Sequence, residues 1–301
     1  MRGLDFPAWE TPEDALEYDA VKLFMQSANR ARSKFVLQPD DLDFLAHICR
    51  LTAGMPLGIE LAAGWVDVLS LEKIATEIQQ GIDILETDMR DVPERHRSIR
   101  ATFEQTWNRL TNDQQIIFAR LSVFRGGFTL ESAKTITSAN VRYLRKLVQK
   151  SLIQTETDER YAIQELLRQF GADKLAETDY LSAIQANHAQ YFADFMIERK
   201  QDIKTNRQLE ALELIDLDYD NVRMAWLYTV NQDQWEQLSK FLHSLWFYCD
   251  ARNRGQEGYN LLQYAVTTLE KLPTSEIVKL ALGRIQARLA WFYNDIGLSE
   301  E

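Results

Sequence analysis

Only one stretch of the chain alternates apolar and polar residues in the manner of a β-hairpin, and this scarcity constrains the fold more than any other feature. Its two arms are residues 151–156 and 160–163, separated by a polar turn at 157–159. Elsewhere apolar residues recur at i, i+3, i+4 and i+7, which is the period of an amphipathic helix. The sequence therefore predicts a mainly α protein with one small β element.

Helix boundary signals dominate the first part of the chain. Gly54 suits the left-handed position just past a helix, and Pro56 suits the first turn of the next one. Two helices should therefore meet at a fixed elbow, which is either plain helical-hairpin architecture or one wall of a ligand site. We predict a linker over residues 1–10 and a helical subdomain over residues 11–86, whose first cap falls at residues 11–14.

A polar connector is predicted over residues 87–98. It contains the basic run Arg95, His96 and Arg97. This run is either a solvated hinge or a cluster that meets phosphates or an acidic partner.

Residues 99–177 have a different pattern of short helices followed by a hairpin, which predicts a winged-helix domain. Thr111 and Gln114 have the spacing of a capping box, several short helices follow, and the hairpin comes after them. The helix before the hairpin occupies the recognition position of a winged helix-turn-helix. It carries four basic residues: Arg142, Arg145, Lys146 and Lys150.

Binding of DNA by this unit is one reading of that basic helix. The net charge of −11 and the acidic residues Glu156, Asp158 and Glu159 near the hairpin turn argue against it. A surface helix also carries lysines and arginines simply because it is solvated. Winged-helix DNA binding is therefore kept as the third alternative.

The remaining chain, residues 178–301, has a helical pattern and predicts an α-solenoid of tetratricopeptide-like helix pairs. Asp216, Leu217 and Asp218 predict an acidic turn before one of these helices. An apolar helix that ends in aromatic residues and then a glycine occurs twice. The two glycines, Gly255 and Gly297, lie 42 positions apart (297 − 255), against roughly 34 for a tetratricopeptide repeat. In such arrays each repeat buries its apolar face against the next one. The last predicted helix has no following partner, so the pattern is that of a truncated repeat array.

Composition places the protein in the cytoplasm and away from membranes. Apolar residues make up 46% and charged residues 26%, as in ordinary globular proteins. The two cysteines, Cys49 and Cys249, form no disulfide framework, which favours a reducing compartment. No apolar run has the length of a signal peptide core or a membrane span. We expect a soluble intracellular protein.

Several motifs together resemble one family. From about Asp19 to Leu272 the chain is similar to the signal-transduction ATPases called STAND proteins, near their AP-ATPase and NB-ARC groups. The likeness is greatest to large bacterial regulators in which an ATPase core leads into tetratricopeptide-like repeats. The stretches that carry it occur in the family's order: residues 20–24, 48–63, 93–100, 121–131, 147–152 and 188–192.

The resemblance implies particular nucleotide contacts. In that family the Gly-x-Pro elbow lies beside the adenine, so Pro56 is the implied contact, with Met55 and Leu57 as neighbours. The winged helix often contributes a histidine to the β-phosphate of bound ADP. Here Gln164 occupies that position, between Ile163 and the acidic residue that follows. A glutamine can donate a neutral hydrogen bond, but a charge-assisted contact is lost.

Catalysis and metal binding are not expected of this chain by itself. It contains no Gly-x-x-x-x-Gly-Lys-Ser/Thr loop and no apolar strand that ends in paired acids, so it should start about where the family's nucleotide domain ends. The four histidines are scattered, and each is predicted to be packed or at the surface: His47, His96, His188 and His243.

The sequence thus predicts the regulatory lid and sensor portion of an ATP/ADP-switched signalling regulator. Its expected partners are its own upstream nucleotide-binding domain, which would hold ADP or ATP, and an inducer or partner protein at the helical repeats. The main alternative is a stand-alone helical scaffold for protein–protein binding.

Overall fold

The computed structural model describes residues 3–7, 15–87, 97–156, 159–273 and 275–295. Within these ranges the chain forms 14 α-helices and three short strands, and the strands are β1 (Gly127–Thr129), β2 (Gln154–Thr155) and β3 (Arg160–Ala162). They make one sheet in the order β1-β3-β2. The predicted mainly α class with a β-hairpin is confirmed. Strand β1 was not predicted.

The helices have the following bounds in chain order: α1 (Asp19–Ala31), α2 (Leu42–Leu51), α3 (Pro56–Ala63), α4 (Leu71–Gln80), α5 (Ile99–Trp107), α6 (Asn112–Leu121), α7 (Leu130–Thr137), α8 (Val141–Gln149), α9 (Glu165–Ala176), α10 (Leu181–Asp202), α11 (Gln208–Asn231), α12 (Trp235–Ala251), α13 (Gly255–Leu269) and α14 (Glu276–Asp295). Among the described residues, no helix combines the length and the apolar character that a membrane span requires.

The chain folds into two compact units, and neither is a single continuous stretch. Unit 1 consists of Met1–Ser122, Val141–Thr155 and Ala162–Thr178, and unit 2 of Val123–Asn140, Glu156–Tyr161 and Asp179–Glu301. Unit 1 therefore holds α1 to α6, α8 and α9, and unit 2 holds α7 and α10 to α14. The domain limits derived from the sequence stay predictions, because a clustering of contacts does not test where a domain begins.

Side-chain caps begin several of these helices, as their sequences indicate. The Ser70 hydroxyl accepts a hydrogen bond from the Lys73 N–H at 3.3 Å. Thr111 and Gln114 form the predicted reciprocal capping box at the start of α6, and Thr129 caps α7. The cap predicted at residues 11–14 lies outside the described residues.

The core of unit 1 joins the N-terminal helices to α9. Phe170 on α9 has its ring edge-on to Phe103 at 5.8 Å and to Trp107 at 5.9 Å between centroids. On the same helix, the buried Gln169 amide donates to the Ile78 carbonyl of α4 at 3.0 Å. The helix that follows the hairpin is therefore an integral part of the same core as the first helices.

Unit 2 is built from long consecutive helices that each pack on their neighbours, as in an α-solenoid. Its largest fully buried side chain is Trp226 on α11, whose indole N–H donates to the Leu261 carbonyl of α13 at 3.2 Å. Tyr219 of α11 and Tyr248 of α12 stack with ring centroids 5.0 Å apart. Burying such aromatic rings supplies much of the driving force for the stacking of these helices.

One prediction within this region is wrong. The acidic residues Asp216 and Asp218 indicated a turn, yet they lie inside α11. Buried Ile215, Tyr219 and Val222 continue the helical period through them. Both carboxylates have partners on other elements, so the local preference of aspartate for turns does not decide the structure here.

Candidate functional site

The elbow between α2 and α3 is a tightly bonded backbone corner. The Ala53 N–H donates to the Arg50 carbonyl at 2.8 Å and the Gly54 N–H to the Cys49 carbonyl at 3.0 Å, which is the pattern of a Schellman motif. Ala53 (φ 49°) and Gly54 (φ 65°) both have left-handed backbones. The predicted left-handed Gly54 is present, and a second left-handed residue precedes it.

Gly3 and Leu4 lie directly on this corner. The Leu4 N–H donates to the Gly54 carbonyl at 2.8 Å. A Cβ on Gly54 would lie 2.0 Å from the Leu4 carbonyl oxygen, and one on Gly3 would lie 2.1 Å from the Ala53 oxygen. Two backbones therefore meet where only glycine fits, so the direction of the elbow is fixed.

The three residues that start α3 are accessible. Pro56 is the first residue of the helix and is exposed, whereas Met55 and Leu57 are half-buried. The Ile59 N–H donates to the Met55 carbonyl at 3.0 Å, which closes the first turn. The corner thus presents a rigid apolar ring to its surroundings, as one wall of a ligand site would.

The start of α9 carries the other predicted contact. Gln164 is the half-buried residue before the helix, and its side chain makes no capping bond. After it, the Glu165 carboxylate accepts from the Nε and Nη2 of Arg168, each at 2.8 Å. The buried Arg168 also donates to the Ser122 carbonyl at 3.3 Å. Ionic hydrogen bonds therefore fix the first turn of this helix, while the Gln164 amide is not used to cap it.

Unit 1 brings these two helix starts together. A Cβ on Gly58 of α3 would lie 3.6 Å from Cδ1 of Leu166 on α9 and 3.2 Å from Cγ2 of Thr52. Gly58 and Leu166 each come two positions after a predicted contact, Pro56 and Gln164 respectively. The two predicted contacts, 108 positions apart (164 − 56), therefore begin helices that approach each other at Gly58 and Leu166.

Unit 2 contains a buried polar network that the sequence analysis missed. The Asn221 side-chain oxygen accepts from the Arg125 N–H at 2.7 Å, and its amide nitrogen donates to the Gly127 carbonyl at 2.9 Å. The same nitrogen donates to Asp218 at 3.2 Å. Asn221 is fully buried, so this single amide ties the loop before α7 to α11.

An ion pair extends the network. Arg160 of β3 binds Asp218 with both of its terminal nitrogens, at 2.8 and 3.2 Å, and also donates to the Leu217 carbonyl at 3.0 Å. The side chains are 8% and 12% exposed. The bidentate pair of Arg160 and Asp218 is therefore buried, and solvent ions screen the attraction between its charges only weakly.

His188 on α10 completes the network. Its Nε2 lies 3.3 Å from the Asn221 oxygen, and its ring contacts Phe124 and Phe192 at centroid distances of 5.7 and 4.7 Å. Because the Asn221 oxygen is an acceptor, Nε2 carries the proton. Burial lowers the pKa of His188 to about 4, and the charge of Arg125 lowers it further while the bond to Asn221 opposes the change.

This network joins two of the stretches that carry the family resemblance, residues 121–131 and 188–192. The signal that could have revealed it is the pair Asp218 and Asn221, which stand three positions apart on one helical face. The sequence analysis placed Asp218 in an acidic turn instead and did not consider Asn221.

The basic residues of α8 are exposed, and Leu144 and Leu147 on its other face are buried. Lys150, just after the helix, donates to the Arg109 carbonyl at 3.3 Å. Of the connector residues, Arg95 and His96 lie outside the described part of the chain. In the parts that are described, no three histidine, cysteine, aspartate or glutamate side chains are grouped as a metal site requires.

No family model matches the sequence. The chain is 26% identical over 252 residues to proteins named as candidate HTH-type transcriptional regulators from Mycobacterium tuberculosis (strain ATCC 25618 / H37Rv) and Mycobacterium bovis. The matches cover 79% of this chain but only 28% of those relatives. An uncharacterized protein of M. tuberculosis is 28% identical over 194 residues, which is 61% of this chain and 49% of that protein. The chain thus spans less than a third of the length of the regulators.

Among solved structures, the chain has a likeness to a STAND protein with a tetratricopeptide repeat sensor from Pyrococcus horikoshii. The sequences are 18% identical, and the match covers 97% of this chain and 45% of the other. The TM-score is 0.30, which is too low for an argument about fold or function.

Proposed function

We propose that this chain is the regulatory lid and sensor portion of a STAND-type signalling regulator that is switched by ATP and ADP. The observation that carries the proposal is the approach of Gly58 on α3 to Leu166 on α9, each two positions after Pro56 and Gln164. The exposed Pro56 begins α3 at a rigid corner. Gln164, whose amide does not cap its helix, stands directly before α9. That pair of groups suits a nucleotide held against unit 1 by another domain.

Each of these residues would make the nucleotide contact that its side chain allows. Pro56 would offer a flat apolar surface to a base, with Met55 and Leu57 beside it. Gln164 would donate one neutral hydrogen bond to a phosphate oxygen. The chain by itself would bind the nucleotide weakly and hydrolyse nothing, because the phosphate-binding loop and the Mg²⁺ ligands belong to the proposed upstream domain.

Unit 2 would act as the sensor. The names of the mycobacterial relatives support a regulatory role, and a helical-repeat surface supports recognition of an inducer or a partner protein. A signal that binds better when the lid is open would favour opening by no more than its difference in affinity for the two states.

Replacing Pro56 with alanine is expected to weaken ADP binding about tenfold in a protein extended to include the proposed nucleotide domain. The loss follows from removing about two methylene groups from an apolar contact, at about 0.8 kcal/mol each. Calorimetric titration with ADP measures it. The thermal unfolding midpoint should stay nearly unchanged, since alanine is well tolerated in a first helical turn.

The matched control is Pro273→Ala, an exposed proline of unit 2, which should leave ADP affinity unchanged. Equal affinities for Pro56→Ala and the unmodified protein would contradict the nucleotide contact. If neither this chain nor the extended protein binds ADP or ATP, the switch is absent and the scaffold function is favoured.

Replacing Gln164 with histidine is expected to tighten ADP binding about fivefold at pH values below the pKa of the new histidine. There the imidazolium can donate a charge-assisted hydrogen bond to a phosphate oxygen. The gain corresponds to about 1 kcal/mol between neutral and ionic hydrogen bonds. Titrations with ADP at about pH 6 and pH 8 measure it, since an ordinary histidine has a pKa near 6.5.

The control is Gln149→His, which changes an exposed glutamine on α8. It adds the same titrating group without approaching the proposed contact. A gain that is equal in both variants, or that does not depend on pH, would show that Gln164 does not face the phosphate.

A further inference from the structure

A cluster of cations lies where α10, α12 and α14 come together in unit 2. Its members are Lys200 from the last turn of α10, Lys204 just after that helix, His243 from α12, and Arg284 and Arg288 from α14. Burial lowers the pKa of His243, and the charges of Lys204, Arg288 and Lys200 lower it further. Burial and the charge of Arg284 lower the pKa of Arg288. These groups are therefore near enough to repel one another.

Neutralising carboxylates are missing from this cluster. No aspartate or glutamate among the described side chains forms an ion pair with any of the five. The neighbouring Lys240 on α12 shows the contrast, because it pairs with Asp194 of α10 at 2.6 Å. Concentrated positive charge is costly unless an anion offsets it.

Three side-chain nitrogens on α12 and α14 are buried without a partner. Among the described residues, the Nε2 of His243, the indole Nε1 of Trp246 and the Nε of Arg288 have no hydrogen-bond partner. Tryptophan and arginine nitrogens can only donate, so the Trp246 and Arg288 atoms require acceptors. A buried donor left without a partner is destabilising and rare in native proteins.

Aromatic side chains border the donors. The Trp246 ring lies 6.0 Å from the His243 ring and 5.7 Å from the ring of Trp291 on α14, the second pair being edge to face. The Trp291 indole N–H is bound to Asp250 at 2.8 Å, which orients that ring. The two indoles therefore form a fixed apolar edge beside the cations.

An apolar recess opens farther along the same two helices. It has a volume of about 250 Å³ and is lined mostly by apolar side chains of α12 and α14, among them Leu238, Leu242, Leu280 and Ile285, together with Glu236 at one end and Arg284. Leu280 is 57% exposed. Arg284 belongs both to the recess and to the cation cluster, so the two features are continuous.

We propose that the cluster of Lys200, Lys204, His243, Arg284 and Arg288, with Trp246, binds a small anion that bears a carboxylate or phosphate group on an apolar body. The anionic oxygens accept from His243, Trp246 and Arg288, and the two lysines add long-range attraction. The apolar body occupies the recess beside Arg284. The existence of this site is independent of the nucleotide switch, but its role as the signal site rests on the proposed function.

The test uses this chain alone, without nucleotide, and three probes: phenyl phosphate, benzoate and the neutral phenol. Calorimetry and ¹H–¹⁵N spectra of the tryptophan indoles follow binding. We expect one or both anions to bind with a dissociation constant of about 1 mM or lower, phenol not to bind, and the indole N–H signal of Trp246 to move. The stronger of the two anions identifies the oxyanion that the site accepts.

Arg288→Gln is expected to weaken anion binding roughly tenfold or more, because it removes an ionic donor. Lys279→Gln, which removes the same charge from an exposed position of α14, should change it less than about twofold. If Arg288→Gln does not fold, Trp246→Phe serves instead. It keeps an aromatic ring but removes the indole N–H, and it is expected to weaken anion binding severalfold.

The proposal is overturned if neither anion binds, or if the Lys279 variant loses as much affinity as the Arg288 variant. Either failure leaves the Pro56 and Gln164 experiments unaffected, since those measure ADP. A loss of ADP binding there would in turn say nothing against the anion site.

Discussion

Replacing Asp218 with alanine is expected to lower the free energy of unfolding by about 3–5 kcal/mol, because it leaves a buried guanidinium without its counter-charge. Arg160 binds this carboxylate through two bonds at 2.8 and 3.2 Å, and its side chain is 8% exposed. The same change removes an acceptor from Asn221, whose amide connects the loop before α7 to α11. Urea denaturation at neutral pH measures the loss.

Asp220→Ala provides the matched control, because Asp220 is an exposed aspartate two positions away on the same helix. We expect it to change the free energy of unfolding by no more than about 0.5 kcal/mol. The double variant Arg160→Met with Asp218→Leu should recover much of the loss, since apolar residues can replace a buried pair. Equal effects of Asp218→Ala and Asp220→Ala would contradict a buried, energetically coupled pair.

Acidification from about pH 7.5 to pH 5 is expected to remove about 2 kcal/mol of stability through His188 alone. Its pKa is about 4 in the folded protein and 6.5 in the reference state. The unfolded chain therefore binds the proton first, so this contribution is intact above the unfolded pKa. It decreases as the pH falls through 6.5 and levels off once the pH is below the folded pKa.

Urea denaturation of the unmodified protein and of His188→Gln over this pH range isolates the contribution. Glutamine can keep a donor towards Asn221 but does not titrate. Carboxylates titrate equally in both proteins, so the difference between the two pH profiles reports on His188. Parallel profiles would mean that the histidine is accessible to water or already protonated in the folded state.

The parts of the fold that the sequence predicted correctly depend on short-range chemistry. The cap at Thr111 and the left-handed Gly54 are decided within a few residues, by bonds between a side chain or a backbone and its own turn. The error in α11 has the same origin. Asp216 and Asp218 favour turns locally, but distant partners and the apolar period of the helix outweigh that preference.

The candidate site required contacts that no local pattern encodes. The resemblance supplied Pro56 and Gln164, whereas the meeting of α3 with α9 depends on a close approach of Gly58 to Leu166. The partners of Asn221 lie 94 and 96 residues away. The cations near His243 come from α10, from the turn after it and from α14. Such groupings follow from tertiary packing, which periodicity and composition do not specify.

The division of the chain into alternating segments has a practical consequence for anyone who wishes to dissect it. The polypeptide passes from one compact unit to the other after residues 122, 140, 155, 161 and 178. A single cut, at whichever peptide bond it is made, therefore cannot separate the two units as two whole pieces. A fragment that keeps all of one unit also carries segments of the other, whose remaining core is lost, so the functions of the two units are better separated by point substitutions than by truncation.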